Sequence, residues 1–327
     1  KFLYQTDFSG TLEYDSVPGM LQGNCYLILG GIIAVITYIL SHPRMRVLQD
    51  LSDVSARLPP ETFNKLAKWI HAKDILGFLF LISHVPNIVN GNLYQTLSKI
   101  VGLYTTIVVF LMDMLYMDCV CVLKACFERI NESLINLKQI LSTDEPHLLR
   151  RVYHEQKNPL LLIELRALKK RHLLISDILQ ILNTTFSFQI VATVVLTFAE
   201  VTFSLYFYIL QRIGEKEINL EKQIWYSYFI MSVAYYSTKL ALMVWACETG
   251  KDQALLVGTN IHEVLISTTD KQVKDEVKYI NHLNMECICH KYLEPIFQLF
   301  KILTKILDIF KLTNFERCLY QVACADI

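Results

Sequence analysis

Residues 100–123 read IVGLYTTIVVFLMDMLYMDCVCVL, and KACFERINESLINLKQIL follows at 124–141 without a Gly, a Pro or a turn signal between. The first part is apolar over the length a helix needs to cross a bilayer. It lacks the strict alternation of a β-barrel strand. In hydrocarbon no water satisfies the backbone, so a helix is the remaining solution. Past Lys124 the pattern changes. Phe127, Ile130, Leu134, Leu137 and Leu141 recur at helical spacing with polar residues between them, the signature of an amphipathic helix. One membrane helix therefore runs on into water with one apolar stripe.

Four more apolar stretches flank it: residues 25–40, 75–89, 186–210 and 224–247. The stretch at 75–89 is short and interrupted by His84 and Pro86. Ahead of the span at 186–210, the sequence LLLIELRALKKRHLLISDILQILN sets Leu165, Leu168, Leu173, Ile178 and Leu182 on a second amphipathic stripe. Two such stripes bury themselves against each other or against another subunit, or they lie on the inner leaflet as surface helices. The composition agrees with a membrane protein. Of the 327 residues, 53% are apolar and 19% charged, below the ~25% charged residues of an average soluble domain. Mean hydropathy is +0.34. This excludes a disordered chain and a small disulfide-stapled module. Lys plus Arg and Asp plus Glu balance at 31 each, so no whole-chain charge points to nucleic acid.

Orientation follows from Lys and Arg in the connecting segments. Between the first two spans stand Arg44, Arg46, Arg57, Lys65, Lys68 and Lys73. Between the third and fourth stand Lys124, Arg129, Lys138, Arg150, Arg151, Lys157, Arg166, Lys169, Lys170 and Arg171. The loops on the opposite side carry only Lys99, then Arg212, Lys216 and Lys222. Residues 1–24 are thus expected outside, 25–247 form the transmembrane bundle, and 248–327 form a cytoplasmic helical tail. The expected fold class is an all-α membrane protein, a bundle of about five transmembrane helices with long cytoplasmic extensions.

Charges within spans are costly and are usually paired or functional. Asp113 and Asp118 lie in the third span, Glu200 in the fourth and Lys239 in the fifth. A pair between Lys239 and either Asp113 or Glu200 would lower the cost of both partners. Such a pair serves helix packing, or it forms the polar wall of a ligand pocket or ion path. Aromatic residues gather toward the outer ends: Tyr104, Tyr206, Phe207, Tyr208, Trp225, Tyr226, Tyr228 and Phe229. They form an interfacial belt or the rim of a pocket for a small organic ligand.

No glycine-rich phosphate loop, HExxH motif or nucleophile–base set is evident, so no catalytic residue, metal site or cofactor is expected. Cys287, Cys289 and His290 lack a second ligand group. Cys25 alone among the nine cysteines lies near the outer face, so no extracellular disulfide is expected. The sequons at Asn131 and Asn183 fall on the cytoplasmic side and should carry no glycan.

Several stretches carry a family resemblance. YMDCVCVLKACFERINESLINLK at 116–138 looks like the exit of a fourth receptor helix, and LRALKKRHLLISDILQILNTTFSFQIV at 165–191 like the approach to a fifth. Residues 239–249, IHEVL at 261–265 and DEVKY at 275–279 look like the cytoplasmic stretch after a sixth. In order and spacing over about 21–280, the chain resembles the insect gustatory receptor family, relatives of the odorant receptors. The five spans would then be helices two to six of seven, with the inverted topology that the charge count gives independently. The chain starts at Lys1 rather than Met, and the first and last helices of the family are expected to be missing. The family's closing Thr-Tyr, apolar run and Gln-Phe are not found. After about 280 the chain is atypical, and 296–310 reads as an amphipathic helix broken by Lys301, Lys305 and Asp308.

The resemblance implies a gustatory-type chemosensory receptor at the plasma membrane. It would be a multi-pass subunit of a ligand-gated, non-selective cation channel that responds to a small organic tastant. Its partners would be that ligand, the lipid bilayer and related receptors in a homo- or hetero-tetramer, with no nucleic acid. Tyr104, Tyr208, Tyr226 and Tyr228 are the candidate ligand-binding residues. Other readings are a G-protein-coupled or otherwise non-conducting receptor, a truncated non-functional fragment, and a transporter. The charge asymmetry fits the G-protein-coupled class only if no helix precedes residue 25. A transporter should show an inverted repeat, and none is evident.

Overall fold

The computed structural model describes residues 17–82, 93–143, 159–214, 220–267, 274–275 and 277. Among the described residues there are six helices and no strand. They are α1 (Val17–Ile39), α2 (Ser41–Ser55), α3 (Pro60–Ile82), α4 (Leu93–Thr143), α5 (Pro159–Gly214) and α6 (Leu220–Ser267). The chain is an all-α membrane protein. Four of its helices contain segments long and apolar enough to cross a bilayer: Leu21–Ile39, Ile100–Ile140, Leu162–Ile209 and Phe229–Ile266. Each overlaps one of the five expected spans: 25–40, 100–123, 186–210 and 224–247. The fifth expectation, 75–89, coincides with the end of α3 as far as Ile82, and its remainder, with His84 and Pro86, lies outside the described residues.

Local sequence explains the breaks. Pro43 has no N–H to give to the Ile39 carbonyl four residues back, and α1 stops at Ile39. The chain bends at Leu40 and α2 begins at Ser41. At Pro59-Pro60 the ring at the first helical position costs nothing, because that N–H would be unpaired anyway. No such residue interrupts α4 between its ends, so its 51 residues run about 76 Å at 1.5 Å each. The 56 residues of α5 run about 84 Å. Both far exceed a ~30 Å hydrocarbon layer, and so both project into water.

Cross-helix contacts set the direction of each helix. Between α4 and α6 the sequence offset stays nearly constant, 126 for Lys239 with Asp113, 122 for Asn131 with Gln253 and 125 for Lys138 with Glu263. Helices paired at a constant offset are parallel. Against α5 the partners run in opposite order: Asp113 meets Thr193, Tyr116 meets Phe186, and Phe127 meets His172. By the same reasoning α3 is antiparallel to its neighbours, with Lys73 beside Asp118, Trp69 against Trp245 and Phe80 stacked on Tyr235. Thus α1, α4 and α6 run one way and α3 and α5 the other. Loop charge demands the same alternation.

Beyond the membrane the amphipathic stripes pack together. Phe127, Ile130, Leu134 and Leu137 of α4 are buried with Leu165, Leu168, Ile178 and Leu182 of α5 in one core. Leu173 is half-buried, and its neighbours His172 and Ile175 point inward instead. A third helix completes this core. The α6 continuation supplies Ala254, Val257, Ile261 and Val264, at spacings of three and four. The arrangement is a packed bundle, and α6 passes through residue 247 into it without a break.

Candidate functional site

The membrane-spanning part of α5 has a buried polar seam. Gln189, Thr193, Thr197, Glu200 and Ser204 are spaced four, four, three and four residues apart, so they share one face of the helix. All are buried. At 1.5 Å per residue the seam extends about 22 Å, most of the hydrocarbon thickness. Groups from α1, α2, α4 and α6 meet it.

At its Gln189 end and at its middle, the seam is met by charged groups. Lys239 Nζ of α6 lies 2.9 Å from Asp113 Oδ2 of α4. Thr193 Oγ1 donates to Asp113 Oδ1 at 3.1 Å. The Arg44 guanidinium of α2 donates to Gln189 Oε1 and lies 4.6 Å from the centre of the Phe186 ring. Its other nitrogen reaches Met112 Sδ at 3.1 Å. Burial of Arg44 lowers its pKa from the ordinary arginine value. Lys239 also lies 5.9 and 5.7 Å from the ring centres of Tyr235 and Tyr236, where the π faces favour a cation. A carboxylate in hydrocarbon persists only when paired and hydrogen-bonded, and Asp113 has both kinds of partner. One network thus ties α2, α4, α5 and α6.

The end near Glu200 has a different character. Gln22 Nε2 of α1 donates to Glu200 Oε2 at 3.0 Å. Ser204 Oγ donates to the Glu200 carbonyl one turn back. The Tyr26 hydroxyl donates to the Gly102 carbonyl of α4 at 3.0 Å and pairs with Thr106 Oγ1. Tyr26 and Tyr236 lie within electrostatic reach of Glu200 and of each other. Gln22 Oε1 and Thr197 Oγ1 are buried without a hydrogen-bond partner among the described residues. Buried polar atoms are rarely left unpaired. At the other end of the seam Arg44 Nε and Gln189 Nε2, both donors, are likewise unpaired among the described residues. The end near Glu200 therefore offers open acceptors, Gln22 Oε1 and Thr197 Oγ1, and the Asp113–Lys239 pair separates the two ends.

Of the residues expected from the sequence, Asp113 and Lys239 are brought together. Glu200 pairs with Gln22. Asp118 pairs with Lys73 of α3 at 3.0 Å, and Lys73 also contacts Asp74 at 2.6 Å. Tyr208 is half-buried and stacks on Phe229, ring centres 4.8 Å apart. Tyr104 faces outward, 62% exposed. The side chains of Tyr226 and Tyr228 lie outside the described residues, as do Cys287, Cys289 and His290. Sequence reasoning missed Gln22, Tyr26, Arg44, Gln189, Thr193 and Thr197. A signal did exist on α5, where polar residues recur at helical spacing within an apolar run. Among the described residues no three His, Cys, Asp or Glu side chains gather as a metal site.

Helices that cross the membrane in alternating directions, a buried polar seam and a packed helical extension define a multi-pass helical membrane protein. A family model described as 7tm chemosensory receptor matches residues 14–302, and the chain belongs to that family. It is a chemosensory receptor, consistent with the gustatory type that the motifs at 116–138 and 165–191 resemble, and its family is not one of enzymes. A search of curated proteins returned no match.

Proposed function

We propose that this receptor is a gustatory-type, ligand-gated, non-selective cation channel subunit in the plasma membrane, opened by a small organic tastant. The observation that carries the ligand reading is the outer seam. There Gln22, Tyr26, Thr197, Glu200 and Tyr236 combine aromatic surface with the open acceptors Gln22 Oε1 and Thr197 Oγ1. A few placed polar groups among aromatics are what a small hydroxylated or amine-bearing ligand requires. The ligand enters from the outer face, past the stacked Tyr208 and Phe229. Its binding favours the open state by as much as its affinity differs between states. The three-helix cytoplasmic core supports the proposed assembly with related receptors into a homo- or hetero-tetramer, because it gives each subunit a rigid body outside the membrane.

The test is current recording from cells that express the receptor from its full transcript, during perfusion with a panel of small organic tastants. The expected result is a ligand-evoked, weakly selective cation current. Glu200→Gln and Thr197→Val should shift half-maximal concentration about tenfold, as expected for one lost polar contact. Ligand binding without current would overturn the channel reading and leave a non-conducting receptor.

A further inference from the structure

A second site lies at the other end of the bundle. A cleft opens where the α2–α3 turn, α4 and α5 meet on the cytoplasmic side. Its floor is apolar, made by Val54, Leu58, Cys126, Ile130, Leu168 and Ile175. Three arginines complete its lining, Arg57 from the turn, Arg129 from α4 and Arg171 from α5, and none of the lining residues is acidic. All three arginines are exposed. Arg129 shares a solvent-exposed pair with Glu132 at 2.9 Å, a weak contact that a doubly charged phosphate displaces. Arg57 and Arg171 have no ion pair among the described residues.

The position suits a lipid. With the hydrocarbon edge at residue 123, Arg129 sits about 9 Å beyond it, just past a headgroup layer ~5–8 Å deep, and a long arginine side chain reaches back into that layer. The α5 surface also leads there. Val195, Val191, Phe188, Ile181 and Leu174 are all exposed apolar residues. Phe188, Ile181 and Leu174 are spaced seven apart, so they form a stripe along one side of α5. Leu174 is both the end of that stripe and part of the cleft lining. An acyl chain lying on the stripe would have its headgroup among the three guanidinium groups.

We infer that this cleft binds an anionic phospholipid of the inner leaflet with a polyphosphorylated headgroup. Basic pockets between helices on the cytoplasmic side have this preference. Planar guanidinium groups from three separate segments match several phosphate groups better than one carboxylate. The bound lipid would clamp the α2–α3 turn to α4 and α5.

The experiment is native mass spectrometry of the full chain in phosphatidylcholine nanodiscs. These contain either a few per cent phosphatidylinositol bisphosphate or phosphatidylserine of equal total charge. The expected result is retention of the bisphosphate lipid, weakened roughly tenfold or more in the triple variant R57Q/R129Q/R171Q. The variant K65Q/K68Q/K170Q, which removes three exposed charges outside the cleft lining, should bind as the parent does. Equal loss in both variants, or equal retention of phosphatidylserine, would make the binding generic surface attraction and overturn the site. Equal binding of soluble inositol trisphosphate in plain discs would overturn the lipid as ligand. Independently of any variant's folding, a photoactivatable phosphoinositide should label residues 54–58, 126–133 and 168–175 of the parent, and label confined elsewhere refutes the proposal. None of these readouts needs a tastant response, so failure here leaves the proposed function standing.

Discussion

Lys239 and Asp113 form an ion pair at 2.9 Å with side-chain exposures of 4% and 0%. The pair joins two parallel helices, α4 and α6, through residues 126 positions apart in sequence. Its cost is offset because Thr193 supplies a further hydrogen bond to the carboxylate and two tyrosine rings face the ammonium. Removing either partner strands a charge in hydrocarbon. K239M or D113L should each destabilise the fold by about 3–5 kcal/mol, seen as an early melting transition in fluorescence-detected size exclusion. The double variant D113L/K239M should recover most of that loss. A double variant as unstable as the sum of the singles would show that the pair is not coupled.

Asn131 ties α4 to α6 farther in. Its Nδ2 donates to the Gln253 carbonyl at 3.0 Å, and its Oδ1 accepts from Asn260 Nδ2 at 3.0 Å. N131L should cost about 1–3 kcal/mol by leaving Asn260 without an acceptor. Because the two residues share one network, N131L and N260L should be non-additive. Hydrogen exchange at 124–141 and 250–264 checks this, and unchanged protection there would refute it.

Close approach of α3 to α4 depends on Gly77. A Cβ there would stand 2.8 Å from two atoms of the Phe110 ring. G77A should therefore cost about 1–3 kcal/mol through overpacking. Gly102 on α4 has nothing within 4 Å of its added Cβ. G102A should be neutral or gain up to about 1 kcal/mol, because Ala is the better helix former. Melting curves of both variants decide the matter, and equal effects would contradict the packing.

Topology has a chemical test. Asn131 is buried and committed to Gln253 and Asn260, which leaves no room for a glycan. Deglycosylation should not change the mobility of the protein, since the other sequon, Asn183, shares its side of the membrane. A cysteine replacing Glu217 should gain label from a membrane-impermeant maleimide on intact cells. One replacing His147 should gain label only after permeabilisation. The reverse pattern would invert the orientation.

The sequence by itself determined the class of architecture. Apolar length sets which segments can enter a bilayer, because it is a property of a segment against its solvent. The stripe from Phe127 to Leu137 was legible for the same reason: helical period alone exposes an amphipathic face. The partner of that stripe was only half legible. The buried face of α6, Ala254 to Val264, is broken by Gly258 and interleaved with Leu255 and Leu256, which face outward. Its period is therefore blurred.

Tertiary structure alone decided who meets whom. Asp113 and Glu200 were equal candidates for Lys239, since each is an unscreened charge within a span. Only the register of four helices put Asp113 beside the lysine and Gln22 beside Glu200. Arg44 counted in the sequence as one more cytoplasmic charge. The break between α1 and α2 at Leu40 instead carries it into the bundle against Gln189 and Phe186. Hydrophobic burial depends on a segment's composition, whereas pairing of polar groups depends on ångström-scale geometry between distant segments, and no local pattern encodes that.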